Sequence, residues 1–66
     1  MSTVGSRIRH LREQDGQTLM AFAERLGLSK GHLSKIETDQ QMPRLGMLVL
    51  IAAELDVPIA ALINEE

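Results

Sequence analysis

Two short amphipathic segments of this 66-residue chain meet at one junction, Gly27–Leu28–Ser29. In the first segment, apolar residues recur at i, i+3, i+4 and i+7, which places them on one stripe of an α-helix. They are Leu19, Phe22, Ala23 and Leu26. Glycine adopts the left-handed conformation that ends a helix at little cost, and Ser29 is suited to cap a following helix. The junction therefore predicts two helices joined by a turn of about three residues.

The second segment has an apolar inner face and a polar outer face. Leu33 and Ile36 are its inner positions, and no acidic residue precedes Glu37. The outer positions are Lys30, Gly31, His32, Ser34 and Lys35. Hydrogen-bond donors and small side chains in this arrangement suit a helix that enters the major groove of DNA. An ordinary solvated surface helix explains the same composition, and this segment alone does not decide between the two.

Helical periodicity also marks the rest of the chain. Helix 1 is predicted from about Thr3 to Gln14, helix 4 from about Arg44 to Leu55, and helix 5 from Pro58 to about Asn64. No segment has the alternation of a strand, an internal repeat or low complexity. The sequence therefore predicts an all-α protein, a compact five-helix bundle.

A domain of this size buries a thin core, which rarely supplies more than about 3–5 kcal/mol of stability. The chain has no cysteine, and His10 and His32 lack companions at metal-ligand spacing, so no disulfide or metal is expected. We expect self-association or attachment to a larger protein instead. No signal sequence is present, and the longest uncharged run, Leu45 to Ala53, is too short to cross a bilayer. The predicted location is cytoplasmic, with no membrane partner.

The net charge of −2 argues against a DNA partner, because DNA binding depends largely on lysine and arginine contacts to phosphates. The distribution of charge weakens that objection. All seven basic residues lie within residues 1–44, against five acidic residues there, whereas residues 45–66 carry four acidic residues and no basic one. The sequence predicts a polarised molecule with a mildly basic front, an acidic back and modest non-specific affinity for DNA.

From Val4 to Ile63 the chain resembles the Cro/CI-type (XRE) helix-turn-helix domains of bacterial and phage regulators. The shared marks are GSRIRHLREQDG near the start, LxxxAxxxGLS entering the motif, LSKIE at its end, a proline before helix 4, and LxxLxxIAxELDVPIAAL at the close. The resemblance implies a lambda-repressor-like DNA-binding fold in a single domain, residues 1–66. Its helix-turn-helix, formed by helices 2 and 3, would span about residues 18–37, and helices 4 and 5 about residues 44–64.

The resemblance also implies which residues meet DNA. Base contacts would come from the third helix, through Lys30, Gly31, His32, Ser34 and Lys35. Contacts to the DNA backbone or minor groove would come from Thr18, Leu19, Ser29, Thr38, Gln40, Gln41 and Arg44. Leu19 stands where the family usually has glutamine, which puts one side-chain phosphate contact in doubt. Asp39 stands where the family usually has glycine, and aspartate can hold a left-handed turn at some cost.

Arg12 and Glu37 match the positions of an ion pair that joins helix 1 to the end of helix 3 in related domains. Desolvation offsets most of the attraction in such a buried pair, so it fixes geometry more than it adds stability. We therefore expect a structural ion pair and a structural role for Glu37. Gly31 would leave room for close approach of the helix backbone to DNA without reading a base itself, and a merely tolerated glycine is the alternative.

Helix 4 carries more apolar residues than a core stripe requires. The stripe is Leu45, Leu48, Ile51, Ala52 and Leu55. Gly46, Leu50 and Ala53 form another face, on which a second helix could pack closely. We expect either packing against helix 5 or a homodimer interface, formed by Met47, Leu50, Ile59 and Ile63. A two-fold dimer through helices 4 and 5 would place two recognition helices about one DNA turn, roughly 34 Å, apart.

The leading functional prediction is a sequence-specific DNA-binding transcriptional regulator, a repressor that binds double-stranded DNA at a palindromic operator as a dimer. The alternative is a protein-interaction module of the same fold, such as an antitoxin, an anti-repressor or a docking domain, with weak or no DNA binding. An enzyme is not predicted, since Ser29, His32 and Ser34 lie on one short helix without an orienting acid. No cofactor, metal or small-molecule pocket is expected.

Overall fold

The computed structural model describes residues 2–63, which form five α-helices and no strand. The helices are α1 (Val4–Gln14), α2 (Leu19–Leu26), α3 (Lys30–Glu37), α4 (Leu45–Leu55) and α5 (Ala60–Ile63). The prediction of an all-α five-helix protein is confirmed. None of these helices combines the length and the apolar character that crossing a membrane requires.

Hydroxyl side chains cap the first three helices. Oγ1 of Thr3, Oγ1 of Thr18 and Oγ of Ser29 each accept a hydrogen bond from the amide three residues later, at 3.0–3.1 Å. Each bond satisfies one of the free amides that every helix leaves in its first turn. Thr3 and Arg44, predicted as first helical residues, are the residues that precede α1 and α4, and Arg44 makes no capping bond through its side chain.

The junction between α2 and α3 has the predicted geometry. Gly27 adopts the left-handed conformation, with φ of 73°. The amide of Leu28 donates to the carbonyl of Ala23 at 2.9 Å and closes the end of α2. Ser29 then caps α3, so three residues separate the two helices.

α5 begins later than predicted. The amides of Ala61 and Leu62 donate to the carbonyls of Pro58 and Ile59, each three residues back, at 2.9 Å. This tight spacing makes a turn of 3₁₀ type, and the α-helix itself begins only at Ala60. The predicted end at Asn64 lies outside the described residues.

The core lies where the helices converge on Phe22, the only aromatic residue of the chain, which is fully buried. The buried apolar residues are Ile8, Phe22, Ala23, Leu26, Leu33, Ile36, Leu48, Ile51, Ala52, Leu55 and Leu62. The placement of Leu45 in the core stripe is wrong, since its side chain is 69% exposed. Leu45 is the first residue of α4, and the bundle covers this helix only from Met47 and Leu48 onward.

Candidate nucleic-acid interface

The outer surface of α3 presents two free ammonium groups. Lys30, Gly31 and Lys35 are exposed, whereas His32 and Ser34 are half-buried. Among residues 2–63, no ion pair involves Lys30 or Lys35. The only acidic residue of α3, Glu37, is buried on the opposite side. The surface is therefore positive and open to an anionic ligand.

Two adjoining depressions flank this surface. The first is lined by Ser29, Gly31, His32, Lys35 and Gln41. The second lies between α3 and the start of α4, and it shares His32 and Gln41 with the first. Arg44 lines the second depression, is exposed, and takes part in no ion pair of the described chain. Arg44 therefore extends the positive surface from α3 to α4.

Several of the predicted backbone-contacting side chains already have partners within the protein. The hydroxyls of Thr18 and Ser29 are engaged as helix caps. Oγ1 of Thr38 donates to the carbonyl of Ser34 at 2.8 Å and accepts from Nε2 of Gln40 at 2.9 Å. Thr18 and Ser29 only accept these capping bonds and keep their own O–H groups free to donate to a phosphate, whereas the O–H of Thr38 is used within the protein.

Three other residues predicted to contact the DNA backbone or minor groove differ in how far their side chains are free to bind a ligand. Leu19 packs against the core, so only its backbone can face a ligand. Gln41 and Arg44 are exposed, and their side chains form no hydrogen bond with another described residue. Gln41 and Arg44 therefore have exposed polar atoms that are free to bind a ligand.

A buried ion pair fixes α3 relative to α1, as predicted. Nε of Arg12 donates to Oε2 of Glu37 at 2.7 Å, and Nη2 donates to Oε1 at 3.0 Å, so the pair is bidentate. The pKa of Arg12 is raised, mainly because Glu37 accepts hydrogen bonds from its guanidinium, and desolvation opposes this effect. Nη1 of Arg12 also donates to the carbonyl of Gln17 at 2.8 Å. One arginine thus joins α1, the end of α3 and the loop that leads into α2.

Asp39 supplies a second link between α1 and the end of α3, which sequence reasoning missed. Its φ of 64° confirms the left-handed conformation expected at this position. Oδ1 of Asp39 accepts from the amide of Gly5 at 3.0 Å, and Oδ2 accepts from Oγ1 of Thr3 at 2.5 Å. A carboxylate is favourable at a helix N-terminus, so these contacts offset the cost of the turn. The residues lie 34 and 36 positions apart, and no local pattern connects them.

An apolar surface on α4 faces away from the core. Leu45, Val49 and Leu50 are each more than half exposed, and Gly46 and Ala53 are exposed beside them. We call these five residues the α4 surface. Among the predicted dimer residues, Leu50 and Ile63 are exposed, whereas Met47 and Ile59 are partly buried against the core. Leu45 and Val49, absent from the predicted interface, are thus more available for contact than Met47 and Ile59.

Comparison with known proteins places this geometry among DNA-binding regulators. A family model described as a helix-turn-helix domain matches residues 3–63. The immunity repressor protein of Bacillus phage phi105 is 36% identical over 64 residues, which cover 97% of this chain and 44% of that protein. The transcriptional regulator SinR of Bacillus licheniformis is 38% identical over 64 residues, which cover 96% of this chain and 58% of that protein. The chain thus spans about half the length of these relatives.

A solved structure of the biofilm regulator SinR in complex with DNA resembles this chain with a TM-score of 0.84 and 36% sequence identity. The similarity covers 91% of this chain and 97% of the SinR chain. Together with the five helices, it confirms the lambda-repressor-like fold that the sequence predicts.

Proposed function

We propose that this chain, which belongs to the helix-turn-helix domain family of the Cro/CI type, binds double-stranded DNA sequence-specifically and represses transcription. The observation that carries the proposal is the outer surface of α3, where Lys30 and Lys35 are exposed and free of ion pairs within residues 2–63. The presence of DNA in the SinR structure supports DNA as the ligand. The phi105 immunity repressor supports repression as the outcome.

The base contacts of the proposal come from α3. Lys30 and Lys35 can donate to the O6 and N7 acceptors of guanine, and His32 can donate or accept. Ser34 is half-buried beneath them and would contribute only a short hydroxyl. Gly31 brings the backbone of α3 close to the bases.

The positioning contacts come from the ends of the other helices. The free amides at the start of α2, including that of Leu19, can bind a phosphate oxygen, because the N-terminus of a helix attracts anions. Gln41 can reach the DNA backbone from the loop after α3. We assign Arg44 to a narrow minor groove, where the negative potential attracts arginine.

We further propose that two copies bind one palindromic operator. The α4 surface and Ile63 of α5 supply exposed apolar area for a two-fold contact, because the rest of the described chain leaves them uncovered. A dimer of this kind would set two α3 helices about 34 Å apart, one turn of DNA. We place the protein in the cytoplasm, where its operator would be accessible.

A second candidate function is a protein-interaction module of the same fold. The α4 surface favours it, since exposed apolar patches mark protein contacts whether or not DNA is bound. The overall charge of −2 is also unusual for a domain that depends on phosphate contacts. Neither feature involves the outer surface of α3, so this candidate function gives no role to the exposed side chains of Lys30 and Lys35.

Selection of bound sequences from a random duplex library tests the proposal. A sequence-specific regulator should enrich a consensus with two-fold symmetry and half-sites spaced by about one helical turn, roughly 10 base pairs. An enriched but asymmetric consensus would keep the DNA-reading proposal and overturn the dimer. A pool with no enrichment would favour the interaction module.

A further inference from the structure

Gly31 satisfies no evident requirement of the fold. Gly16 and Gly27 have positive φ, and Gly5 contacts the backbone of the residues that end α3. Gly31 is helical without a positive φ, and a Cβ atom there would meet no described atom within 4 Å outside its own turn of helix. Glycine destabilises a helix relative to alanine. The chain therefore carries a destabilising residue at a position where alanine would fit.

The missing side chain leaves an open notch on the surface of α3. The other residues that line this notch are Ser29, His32, Lys35 and Gln41. None of the five lining residues is acidic, and Lys35 forms no ion pair within the described chain. An ammonium group only donates hydrogen bonds, so the side of the notch formed by Lys35 favours a ligand edge that carries acceptors.

Among the four bases, only guanine presents acceptors and no donor or methyl group in the major groove. In the major groove, guanine presents two acceptors, N7 and O6, whereas adenine combines an acceptor with an amino donor. Thymine combines an acceptor with a methyl group, and cytosine presents an amino donor. Lys35 therefore favours guanine at this notch, and Gly31 leaves space for the edge of the base.

We propose that the notch over Gly31 receives the major-groove edge of a guanine, with Lys35 donating to O6 or N7 and Gly31 providing the clearance. This inference rests on the proposed DNA-binding function and assigns one specificity determinant within it. Gly31 acts through the absence of a side chain, so that even a methyl group would hold the base away from Lys35.

Parallel selections from a random duplex library test the inference, using the wild type, Gly31→Ala, Lys35→Met and Gln14→Ala. Gln14→Ala is the control, because Gln14 is exposed on α1, outside the proposed DNA surface and outside the α4 surface. The wild-type consensus should contain a guanine whose preference falls on the order of 10-fold in both Gly31→Ala and Lys35→Met. Gln14→Ala should retain that preference.

Thermal unfolding separates recognition from folding. Gly31→Ala should raise Tm by about 2–6 °C, since alanine favours the helix. A more stable Gly31→Ala variant that has lost the guanine preference supports the inference. A Gly31→Ala variant with the wild-type consensus overturns the inference. The inference is also overturned if Gly31→Ala and Lys35→Met lose their preference at different base pairs. A wild type that enriches no sequence overturns the proposed function as well.

Discussion

The carboxylate of Asp39 accepts a hydrogen bond from the backbone amide of Gly5 at 3.0 Å, and this contact ties the turn after α3 to the start of α1. The two segments approach each other closely, and a Cβ atom on Gly5 would clash with the carbonyl oxygen of Ile36. With the Arg12–Glu37 pair, it holds the C-terminal end of α3 at two points. The outer surface of α3 is thus held in place by residues that lie on the opposite side of the helix.

Replacement of Asp39 tests the contribution of this contact. Asp39→Ala should lower the free energy of unfolding by about 2–3 kcal/mol, since it loses two hydrogen bonds and places a Cβ residue without side-chain compensation at positive φ. Asp39→Gly should lose less, because glycine adopts this conformation freely. Urea unfolding of both variants measures the difference. Unchanged stability of Asp39→Ala would contradict a compensating role for the carboxylate, and equal losses in the two variants would contradict a conformational cost of the turn.

Glu37→Ala should lower the free energy of unfolding by about 3–5 kcal/mol, because it leaves the Arg12 guanidinium buried without its partner. DNA affinity should fall with it, since α3 loses one of its two attachments to α1. Glu13→Ala is the control: Glu13 pairs with Arg9 at 3.2 Å on the surface, where such a pair contributes less than about 0.5 kcal/mol. Unchanged stability of Glu37→Ala would refute a structural role for the pair.

Lys30 and Arg44 should respond differently to substitution. Lys30→Met should relax specificity, by about 1–3 kcal/mol at one base pair, because Lys30 is assigned to base contacts. Arg44→Met should weaken binding to all sequences alike and reduce the dependence of affinity on salt. Competition binding with operator variants and random DNA distinguishes the two patterns, and the reverse pattern would exchange the two assignments.

Leu50→Glu should shift the protein from dimer to monomer, because it places a charge within the proposed apolar contact. The side chain is 52% exposed in the single chain, so helical content should persist. Met20→Glu is the matched control, since Met20 is 56% exposed on α2, away from the α4 surface. Sedimentation equilibrium measures the outcome. A wild type that is monomeric at all concentrations and on DNA would refute the interface.

Local chemistry made four of the five helices predictable to within about one residue of the observed bounds. Their starts are set by caps such as Thr18 and Ser29, and the end of α2 by Gly27. These signals act between residues at most a few positions apart, so a sequence shows them directly. α5 was less predictable because a proline that favours a helix start also favours the tight turn observed at Pro58.

Contacts between residues far apart in the sequence could not be predicted from local patterns alone. The Arg12–Glu37 pair was expected only because the chain resembles a family in which the two positions are paired. No such precedent existed for Asp39 and Gly5, and their contact depends on how α1 packs against α3. The exposure of Leu45 has the same origin, since periodicity gives a residue's direction on a helix but not where the neighbouring helices end.

Titration of a fluorescent duplex of random sequence, at salt concentrations from about 50 to 200 mM, tests the central claim most directly. A domain that contacts phosphates through α2, the loop after α3 and Arg44 should bind at the lowest salt, and log affinity should fall linearly with log salt concentration. The duplex should dissociate from the protein at high salt. No detectable binding at about 50 mM salt would contradict the assignment of this surface to DNA.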